Sequence, residues 1–344
     1  MKIAQIAPLV ERIPPKKYGG TERVVHALTE ELVKRGHDVT LFASGDSKTS
    51  AKLAAVYPRA LREANVEDVY GSNTWTLLNI GSAYARQDEF DIIHDHNGFL
   101  SLPVAHMAHT PAILTCHGPF TKETRKLFQA FKRPYISTIS YSQAQQLPDA
   151  NHIGTVYNGI HFNDFTFSQE HDGYLLFVGR ISMEKGTHIA IDIAQYLNKP
   201  LIIAAKLDRH DIPYYRQYIR HRLTEDIRWI GEVDQQKRNE LMSRALCLLH
   251  PATWKEPFGL TMIEAMACGC PVIAFNRGSV PELIADRKTG FVVSDVDDMT
   301  DAVLSMDTID RNACREHALQ NFNALRMADG YEALYKKVLG RNGL

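Results

Sequence analysis

Two glutamates eight residues apart flank the start of a predicted helix. The segment PATWKEPFGLTMIEAMACGCP (251–271) contains Glu256 and Glu264, separated by a Pro-Phe-Gly turn. Proline and glycine before an apolar helical pattern predict that the helix begins near Phe258. Glu256 then lies in the preceding loop and Glu264 in the second turn. We do not expect a shared face, because eight residues along one helix would leave the carboxylates about 80° apart.

This spacing could serve the recognition of a phosphorylated sugar. The first N–H groups of a helix have no partner inside it, so those of Gly259, Leu260 and Thr261 can hold phosphate oxygens. Glu256 could then reach sugar hydroxyls and Glu264 a ribose diol, since a carboxylate accepts hydrogen bonds from two neighbouring O–H groups. On these residues alone, two unrelated surface glutamates remain the alternative interpretation.

A second motif supplies positive charge. The segment VGRISMEKG (178–186) places Arg180 at the end of a predicted strand and Lys185 just before a helix. A guanidinium fork and a point charge at the carboxyl end of a strand suit a diphosphate. A solvated basic loop is the alternative.

Glycines follow the first predicted strand. Gly19 and Gly20 precede a helix, where they allow a close backbone approach and expose N–H groups to an anion. The alternative is a turn with Thr21 as the helix cap. The chain contains neither Gly-x-Gly-x-x-Gly nor Gly-x4-Gly-Lys-Ser/Thr, so a dinucleotide site and a phosphate-binding loop of the ATPase type lack support.

Three further patterns could ligate a metal, and for each we favour a structural role. Cys268 and Cys270 have no second pair of ligands at a suitable spacing. His94 and His96 flank an aspartate but are followed by Asn and Gly. The Asp-x-Asp sequence that begins at Asp295 is typical of a helix start, with Ser294 or Asp295 as the cap and acidic residues in the first turn. The sequence therefore predicts no metal site.

Composition limits the class of protein. With 39 basic and 40 acidic residues in 344, the net charge of −1 argues against a general nucleic-acid binder. The five cysteines are odd in number and lie mostly in apolar runs, which indicates a reducing compartment. No apolar run approaches the ~20 residues that span a bilayer, and the N-terminus lacks a signal-peptide pattern. We expect a cytoplasmic protein, with peripheral contact at the inner membrane face left open.

Short apolar runs alternate with helical patterns along the chain, which predicts parallel sheets built from right-handed βαβ units. The predicted strands span 2–7, 38–44, 90–96, 111–117, 135–140, 153–159, 173–180, 200–205, 227–233, 245–251, 271–276 and 289–294. The pattern restarts after the polar stretch 161–173. We predict an α/β protein of two Rossmann-like, doubly wound parallel-sheet domains facing across a cleft. Their ranges are 1–164 on the acceptor side and 165–322 for the nucleotide sugar, with a final helix in 323–344 returning to the first domain.

Together these motifs resemble a known family. VGRISMEKG, then PATWKEPFGLTMIEAMACGCPVIAFNRGSVPELI, then TGFVV are similar to the retaining nucleotide-sugar glycosyltransferases of the GT-B fold, family 4. The similarity covers nearly the whole chain, from KIAQIAP to MADGYEALYKKVL. The Glu-x7-Glu spacing with its Pro-Phe-Gly turn is far more specific than either glutamate alone.

The resemblance implies a role for each matching residue. Glu256 would contact the hydroxyls of the donor sugar, and Arg180 and Lys185 would neutralise the diphosphate leaving group. His117 would face the anomeric region and offer polar atoms to O6 of the sugar. The catalytic set implied is Glu256, His117, Arg180 and Lys185. The donor- or nucleotide-binding set implied is Gly19, Gly20, Arg180, Lys185, Ile230, Gly231, Val233, Phe258, Gly259, Leu260, Thr261 and Glu264.

The resulting prediction is a retaining, metal-independent transferase that moves a hexose from a nucleoside diphosphate sugar to an acceptor hydroxyl. UDP-glucose is the favoured donor, and no cofactor or nucleic acid is expected. The acceptor stays open among glycans, lipid-linked and small molecules. Two alternatives stay open: a non-catalytic nucleotide- or glycan-binding subunit, and a GT-B phosphorylase with lysine-bound pyridoxal phosphate.

Overall fold

The computed structural model describes residues 1–17, 19–66, 68–147, 149–163 and 165–341. The chain divides into two compact units, Phe162–Phe322 and the remainder on either side of it. The predicted domain ranges stay a prediction, and Asp164, where the first of them ends, lies outside the described residues.

The first unit contains a parallel sheet with the strand order β3-β2-β1-β4-β5-β6-β7 in the described residues. Its strands are β1 Lys2–Ile6, β2 Asp38–Phe42, β3 Lys52–Ala54, β4 Ile92–Asp95, β5 Ala112–Thr115, β6 Tyr135–Thr138 and β7 His152–Thr155. The order reverses between β1 and β4, and ligands of such sheets bind at the carboxyl ends of strands near this point. The residues that follow β1, β4 and β5 are therefore the candidates for ligand binding in this unit.

Helices cover this sheet. They are α1 Gly20–Lys34, α2 Val69–Ala85, α3 Leu102–Met107, α4 Lys122–Ala130 and α5 Tyr141–Gln146. Helix α1 begins at Gly20, which the sequence places just before the helix, and it buries Val24, Val25 and Leu28. In α4, Phe128 is 2% exposed and Leu127 packs on the same apolar cluster, so this basic helix is docked in the core.

The second unit contains a parallel sheet of order β10-β9-β8-β11-β12-β13 in the described residues, which reverses between β8 and β11. Its strands are β8 Leu175–Arg180, β9 Leu201–Lys206, β10 Ile227–Trp229, β11 Cys247–His250, β12 Val272–Phe275 and β13 Gly290–Val293. Its helices are α6 Thr187–Leu197, α7 Ile212–Tyr214 continuing as a π-helix over Tyr215–Ile219, α8 Gln235–Arg244, α9 Leu260–Ala267, α10 Val280–Leu283, α11 Val296–Leu304 and α12 Arg311–Asn321. The prediction of two Rossmann-like parallel-sheet folds is confirmed.

The last helix, α13 (Ala324–Arg341), belongs to the first unit. Its Glu332 accepts hydrogen bonds from Arg35 Nη1 at 3.0 Å and lies 2.6 Å from His37 Nε2. Tyr331 and Tyr335 are fully buried. No helix among the described residues combines the length and apolar character needed to cross a bilayer.

Candidate functional site

The carboxyl ends of three neighbouring strands meet at the reversal point of the second sheet. Arg180 ends β8, Lys206 lies beside it at the end of β9, and His250 ends β11. Parallel strands place these ends at one edge, where the loops that follow them converge. The predicted site residues of this unit lie in those loops or at the start of the helices after them.

Glu256 lies at the centre of a buried charged cluster. Lys185 Nζ lies 2.6 Å from Oε1 and 2.7 Å from Oε2, and His250 Nε2 lies 3.0 Å from Oε2. The Glu256 side chain is only 11% exposed. Burial by itself would raise the pKa of Glu256, but the charge of Lys185 and the hydrogen bonds of Lys185 and His250 hold that pKa well below its usual range. The carboxylate is therefore ionised and fixed by two partners.

The loop that carries Lys185 needs a glycine at its end. Gly186 caps α6 with φ of 71°, and a Cβ placed on it would lie 2.2 Å from the carbonyl oxygen of Pro251. Only glycine allows both the left-handed backbone and this approach. The loop is thus held against the segment after β11, and Lys185 Nζ lies 5.3 Å from the ring centroid of Trp254.

The start of α9 can bind an anion. Gly259 precedes the helix with φ of 99°, and the helix begins at Leu260, two residues later than the sequence predicts. Within the described part of the chain, the N–H groups of Gly259, Leu260 and Thr261 have no hydrogen-bond partner. A Cβ on Gly259 would lie 3.9 Å from Cδ of Glu256, so the turn and the carboxylate are neighbours. Free N–H groups at a helix start suit phosphate oxygens.

Arg180 is surrounded by acidic side chains. It forms a short ion pair with Glu184, and its nitrogens lie 3.8 Å from Asp208 Oδ2 and 3.7 Å from Asp211 Oδ2. Lys206 Nζ lies 2.6 Å from Asp208 Oδ1. The guanidinium is therefore oriented at the end of β8 by carboxylates rather than left in solvent.

Glu264 is deeply buried, which the sequence does not predict. The residue is 2% exposed, and Arg238 on α8 binds it with Nε 3.1 Å from Oε2 and Nη2 3.2 Å from Oε1. Arg238 is itself 7% exposed. The hydrogen bond from Nη2 and the ion pair with Nε hold the carboxylate in place. Contact of Glu264 with a ribose stays a prediction.

The remaining predicted residues lie in loops of their own units. Ile230, Gly231 and Val233 follow β10, which is shorter than predicted because Gly231 has φ of 79° and leaves the extended conformation. Gly19 caps α1 with φ of 149°, and Gly20 is its first residue. The role predicted for these five residues stays a prediction.

His117 follows β5 in the first unit. It is partly exposed, and its Nε2 lies 3.0 Å from Nδ1 of His96. Burial lowers the pKa of His117 to about 4. The ring is therefore neutral near pH 7, and its contact with a sugar stays a prediction.

The patterns weighed as metal ligands have other partners. His94 contacts Tyr335 and Thr115 through its two ring nitrogens, and His96 contacts Gln5 and His117. Asp295 accepts a hydrogen bond from the N–H of Asp298, 2.9 Å away, and is the cap of α11, one of the two residues predicted for that position. Cys268 and Cys270 are buried thiols. Among the described residues, one group of three possible ligands lies within 4.8 Å, formed by Asp208, His210 and Asp211 beside Arg180.

Four residues of the site were not predicted from the sequence. Lys206, His250, Trp254 and Arg238 each touch a predicted residue or one of its partners. The end of a predicted strand is a signal for Lys206 and His250, since strand ends line such sites. Arg238 sits in a polar helix with no motif, so its contact with Glu264 follows only from the fold.

Comparison with known proteins agrees with this geometry. Residues 18–162 match the family model of Glycosyltransferase Family 4, and residues 162–320 match that of Glycosyl transferases group 1. A glycogen synthase of Mycobacterium tuberculosis is 26% identical over 330 residues, which cover 80% of this chain and 79% of that protein. A phosphatidyl-myo-inositol mannosyltransferase of the same organism is 24% identical and covers 94% and 92%.

Solved structures show the same fold. A sucrose-phosphate synthase from Thermosynechococcus elongatus is 17% identical with a TM-score of 0.81, covering 99% of each chain. A glycosyltransferase involved in avilamycin A biosynthesis is 23% identical with a TM-score of 0.74 and covers 98% of each. The Anabaena protein HepE, solved in complex with UDP-glucose, is 18% identical with a TM-score of 0.73 and covers 98% of this chain and 100% of its own. Since the two family models together span residues 18–320, the chain belongs to the family 4 glycosyltransferases of the GT-B fold, enzymes that use nucleotide sugars.

Proposed function

We propose that the protein transfers glucose from UDP-glucose to an acceptor hydroxyl, with retention of anomeric configuration and without a metal ion. The observation that carries this proposal is the cluster of Lys185, Glu256 and His250 beside the free N–H groups at the start of α9. It combines a cation and phosphate-binding amides with a fixed carboxylate that can accept hydrogen bonds from a sugar.

The charges of this unit support departure of a diphosphate. Arg180 and Lys185 would bind the two phosphates, and the amides of Leu260 and Thr261 would bind oxygens of the terminal one. In the step we propose, the bond from the anomeric carbon to the β-phosphate oxygen breaks. The acceptor oxygen bonds to that carbon on the same face, and its proton passes to the departing phosphate. Fixed donors aimed at the developing negative charge are the main source of rate here.

Glu256 has a binding role in this proposal. Both oxygens of Glu256 accept from Lys185 and one also contacts His250, so the negative charge of this carboxylate is largely neutralised and it is a weak nucleophile. Such a carboxylate is suited to orient sugar hydroxyls. We therefore assign it to donor binding and assign the proton transfer to the leaving phosphate.

Glu264 and Arg238 support recognition of the nucleoside. Arg238 holds the Glu264 carboxylate in place through a hydrogen bond from Nη2 and an ion pair with Nε, and a carboxylate held in this way can accept from the two adjacent hydroxyls of a ribose. A preference for uracil is supported by structural similarity to HepE, which was solved with UDP-glucose. A starch synthase of the same fold was solved with ADP, so the fold by itself does not select the base.

Metal independence is supported by the charges already present. The carboxylates of Asp208 and Asp211 face Arg180, and Lys206 binds Asp208, so cations of the chain occupy the surroundings of this acidic group. Arg180 and Lys185 can supply the charge neutralisation that a divalent ion gives elsewhere.

The test is a donor screen with product analysis. We expect hydrolysis or transfer with UDP-glucose above that with GDP- and ADP-hexoses, full activity in EDTA, and an α-linked product from the α-linked donor. Loss of activity in EDTA that Mn²⁺ restores would contradict metal independence, and a β-linked product would contradict retention. Nucleotide binding without any sugar release would favour the non-catalytic subunit, and absorbance above 320 nm would favour the phosphorylase.

A further inference from the structure

A buried polar network joins three histidines of the first unit to its last helix. Gln5, His94, His96 and Tyr335 are each at most 3% exposed and contact one another at the carboxyl ends of β1 and β4. His117 lies at the outer end of this network and is its partly exposed member. Buried polar networks are costly unless every group is paired, so the direction of each hydrogen bond matters.

The branch that reaches His117 runs through Gln5. The amide nitrogen of Gln5 donates to the Tyr335 hydroxyl at 3.1 Å, and the amide oxygen lies 2.7 Å from His96 Nε2. The other nitrogen of His96, Nδ1, lies 3.0 Å from His117 Nε2. Each contact is within hydrogen-bond distance, so Tyr335, Gln5, His96 and His117 form one continuous chain.

The chemistry of these groups sets the position of each proton. Burial lowers the pKa of His96 and of His117, so both rings are neutral near pH 7 and each has one donor and one acceptor nitrogen. The Gln5 oxygen can only accept, hence His96 Nε2 carries the hydrogen and Nδ1 accepts. His117 Nε2 must then donate to His96, which leaves His117 Nδ1 without a hydrogen.

The second branch agrees with this direction. Since Tyr335 accepts from Gln5, its own hydrogen is free to point at His94 Nδ1, 2.6 Å away. His94 Nε2 then donates to Thr115 Oγ1 at 2.7 Å, and Thr115 contacts the Tyr331 hydroxyl at 3.1 Å. Every ring nitrogen of His94 and His96 is thereby paired.

One acceptor is left over at the exposed end. Nδ1 of His117 has no hydrogen-bond partner within the described residues. We propose that Gln5, His96 and Tyr335 are positioning residues that hold His117 as the Nε2–H tautomer, so that Nδ1 accepts a hydrogen bond from a hydroxyl of the donor sugar. The sugar contact rests on the proposed function, whereas the tautomer is a property of the free protein.

The tautomer is tested without any substrate. Histidine labelled with ¹⁵N gives different shifts for protonated and bare ring nitrogens, and His117→Gln identifies the His117 signals by their loss. We expect Nε2 of His117 to be protonated and Nδ1 bare in the free protein near pH 7. A protonated Nδ1 with a bare Nε2 would overturn the proposal.

The hydrogen-bonded chain of Tyr335, Gln5, His96 and His117 is called the relay below. Variants of its residues test the direction of its hydrogen bonds. In Gln5→Met, His96 Nε2 loses its acceptor, so the proton of His96 should move to Nδ1 and that of His117 to its own Nδ1. Tyr335→Phe removes the group that orients the Gln5 amide and should give both tautomers of His117. Tyr331→Phe is the matched control, because Tyr331 is equally buried on the same helix but contacts Thr115. The same His117 shifts in Tyr331→Phe and Tyr335→Phe would contradict the relay, and the second variant decides the question if Gln5→Met does not fold.

Kinetics test the sugar contact separately. With UDP-glucose as the donor, Tyr335→Phe should raise KM about twofold, because only about half of the protein then holds the tautomer that accepts from the sugar, with kcat and KM unchanged in Tyr331→Phe. Unchanged KM in Tyr335→Phe beside a changed tautomer would overturn the sugar contact and keep the relay. If the unaltered protein transferred no sugar, the proposed function would fail together with the sugar contact, and the ¹⁵N shifts would still decide the relay.

Discussion

Lys185 binds both carboxylate oxygens of Glu256, with Nζ 2.6 Å from one and 2.7 Å from the other. The two residues are 71 positions apart and come together because Gly186 packs on Pro251. The ammonium is thus held in place in the free protein by the carboxylate to which we assign the donor sugar. A preformed arrangement of this kind needs little rearrangement during the reaction.

Replacing Lys185 by alanine should lower kcat by about 10²–10³, the cost of removing one fixed donor from a site of developing negative charge. The control is Lys255→Ala, which removes an exposed lysine from the loop next to Glu256. Steady-state assays with the best donor measure both variants. Near-native turnover of Lys185→Ala would contradict the role that we give to this ammonium.

Much of the fold is predictable because parallel strands buried on both faces leave long apolar runs in the sequence. All the predicted strands occur, but β3 was missed, since Lys52–Ala54 is a three-residue edge strand that is mostly exposed. The predicted strand over 227–233 ends at Trp229 because Gly231 adopts a positive φ. Such local turns depend on contacts that a periodic pattern does not carry.

The site is predictable only in part, for a similar reason. Motifs identify Arg180, Lys185 and Glu256 as separate charges, yet not the contact between two of them. The bond from Arg238 to Glu264 joins two helices, and the residues around Arg238 form a polar helix like many on protein surfaces. Pairing of buried charges is set by the packing of elements far apart in sequence, which no spacing rule records.

Arg238→Lys should weaken nucleotide binding more than it weakens the fold. Lysine keeps the positive charge but cannot make both contacts, through Nη2 and Nε, that orient Glu264, and we expect the Kd for UDP to rise about tenfold. Arg244→Lys is the control, because Arg244 lies on the same helix and pairs with the half-exposed Asp172. Calorimetric titration measures both Kd values. Equal Kd values for the two variants would show that the contact between Arg238 and Glu264 does not contribute to nucleotide binding.

Glu22 should make the protein less stable as the pH rises. Burial, with the nearby charge of Glu11, raises the pKa of Glu22 from 4.5 to about 7. The native state therefore binds this proton more tightly than the unfolded state, and the free energy of unfolding falls between pH 4.5 and 7, by about 3 kcal/mol, and is level above. Glu22→Gln should then be the more stable protein at pH 8, by up to about 3 kcal/mol.

The control for Glu22 is Glu30→Gln on the same helix. Burial of Glu30 is outweighed by hydrogen bonds from Ser50 and Thr49, which lower its pKa, so its loss should destabilise the protein at pH 8. Urea unfolding at pH 5 and pH 8 measures both variants. A Glu22→Gln protein that is less stable than the unaltered one at pH 8 would show that the carboxylate is paired.

A glycine next to Lys185 is needed for two reasons, a positive φ and a close approach to Pro251. Gly186→Ala, compared with a second glycine variant, measures the two costs separately. A Cβ at this position meets the Pro251 carbonyl oxygen at 2.2 Å, and φ is 71°. Gly173 has a similar φ of 82° with nothing within 4 Å, so Gly173→Ala measures the backbone cost alone, which is about 1 kcal/mol. We expect Gly186→Ala to lose about 2 kcal/mol more in urea unfolding, because the clash must push the loop away from β11. Its kcat should also fall, since Lys185 moves with that loop, whereas Gly173→Ala should keep its kcat. Equal stability of the two variants would mean that the approach to Pro251 does not hold the loop.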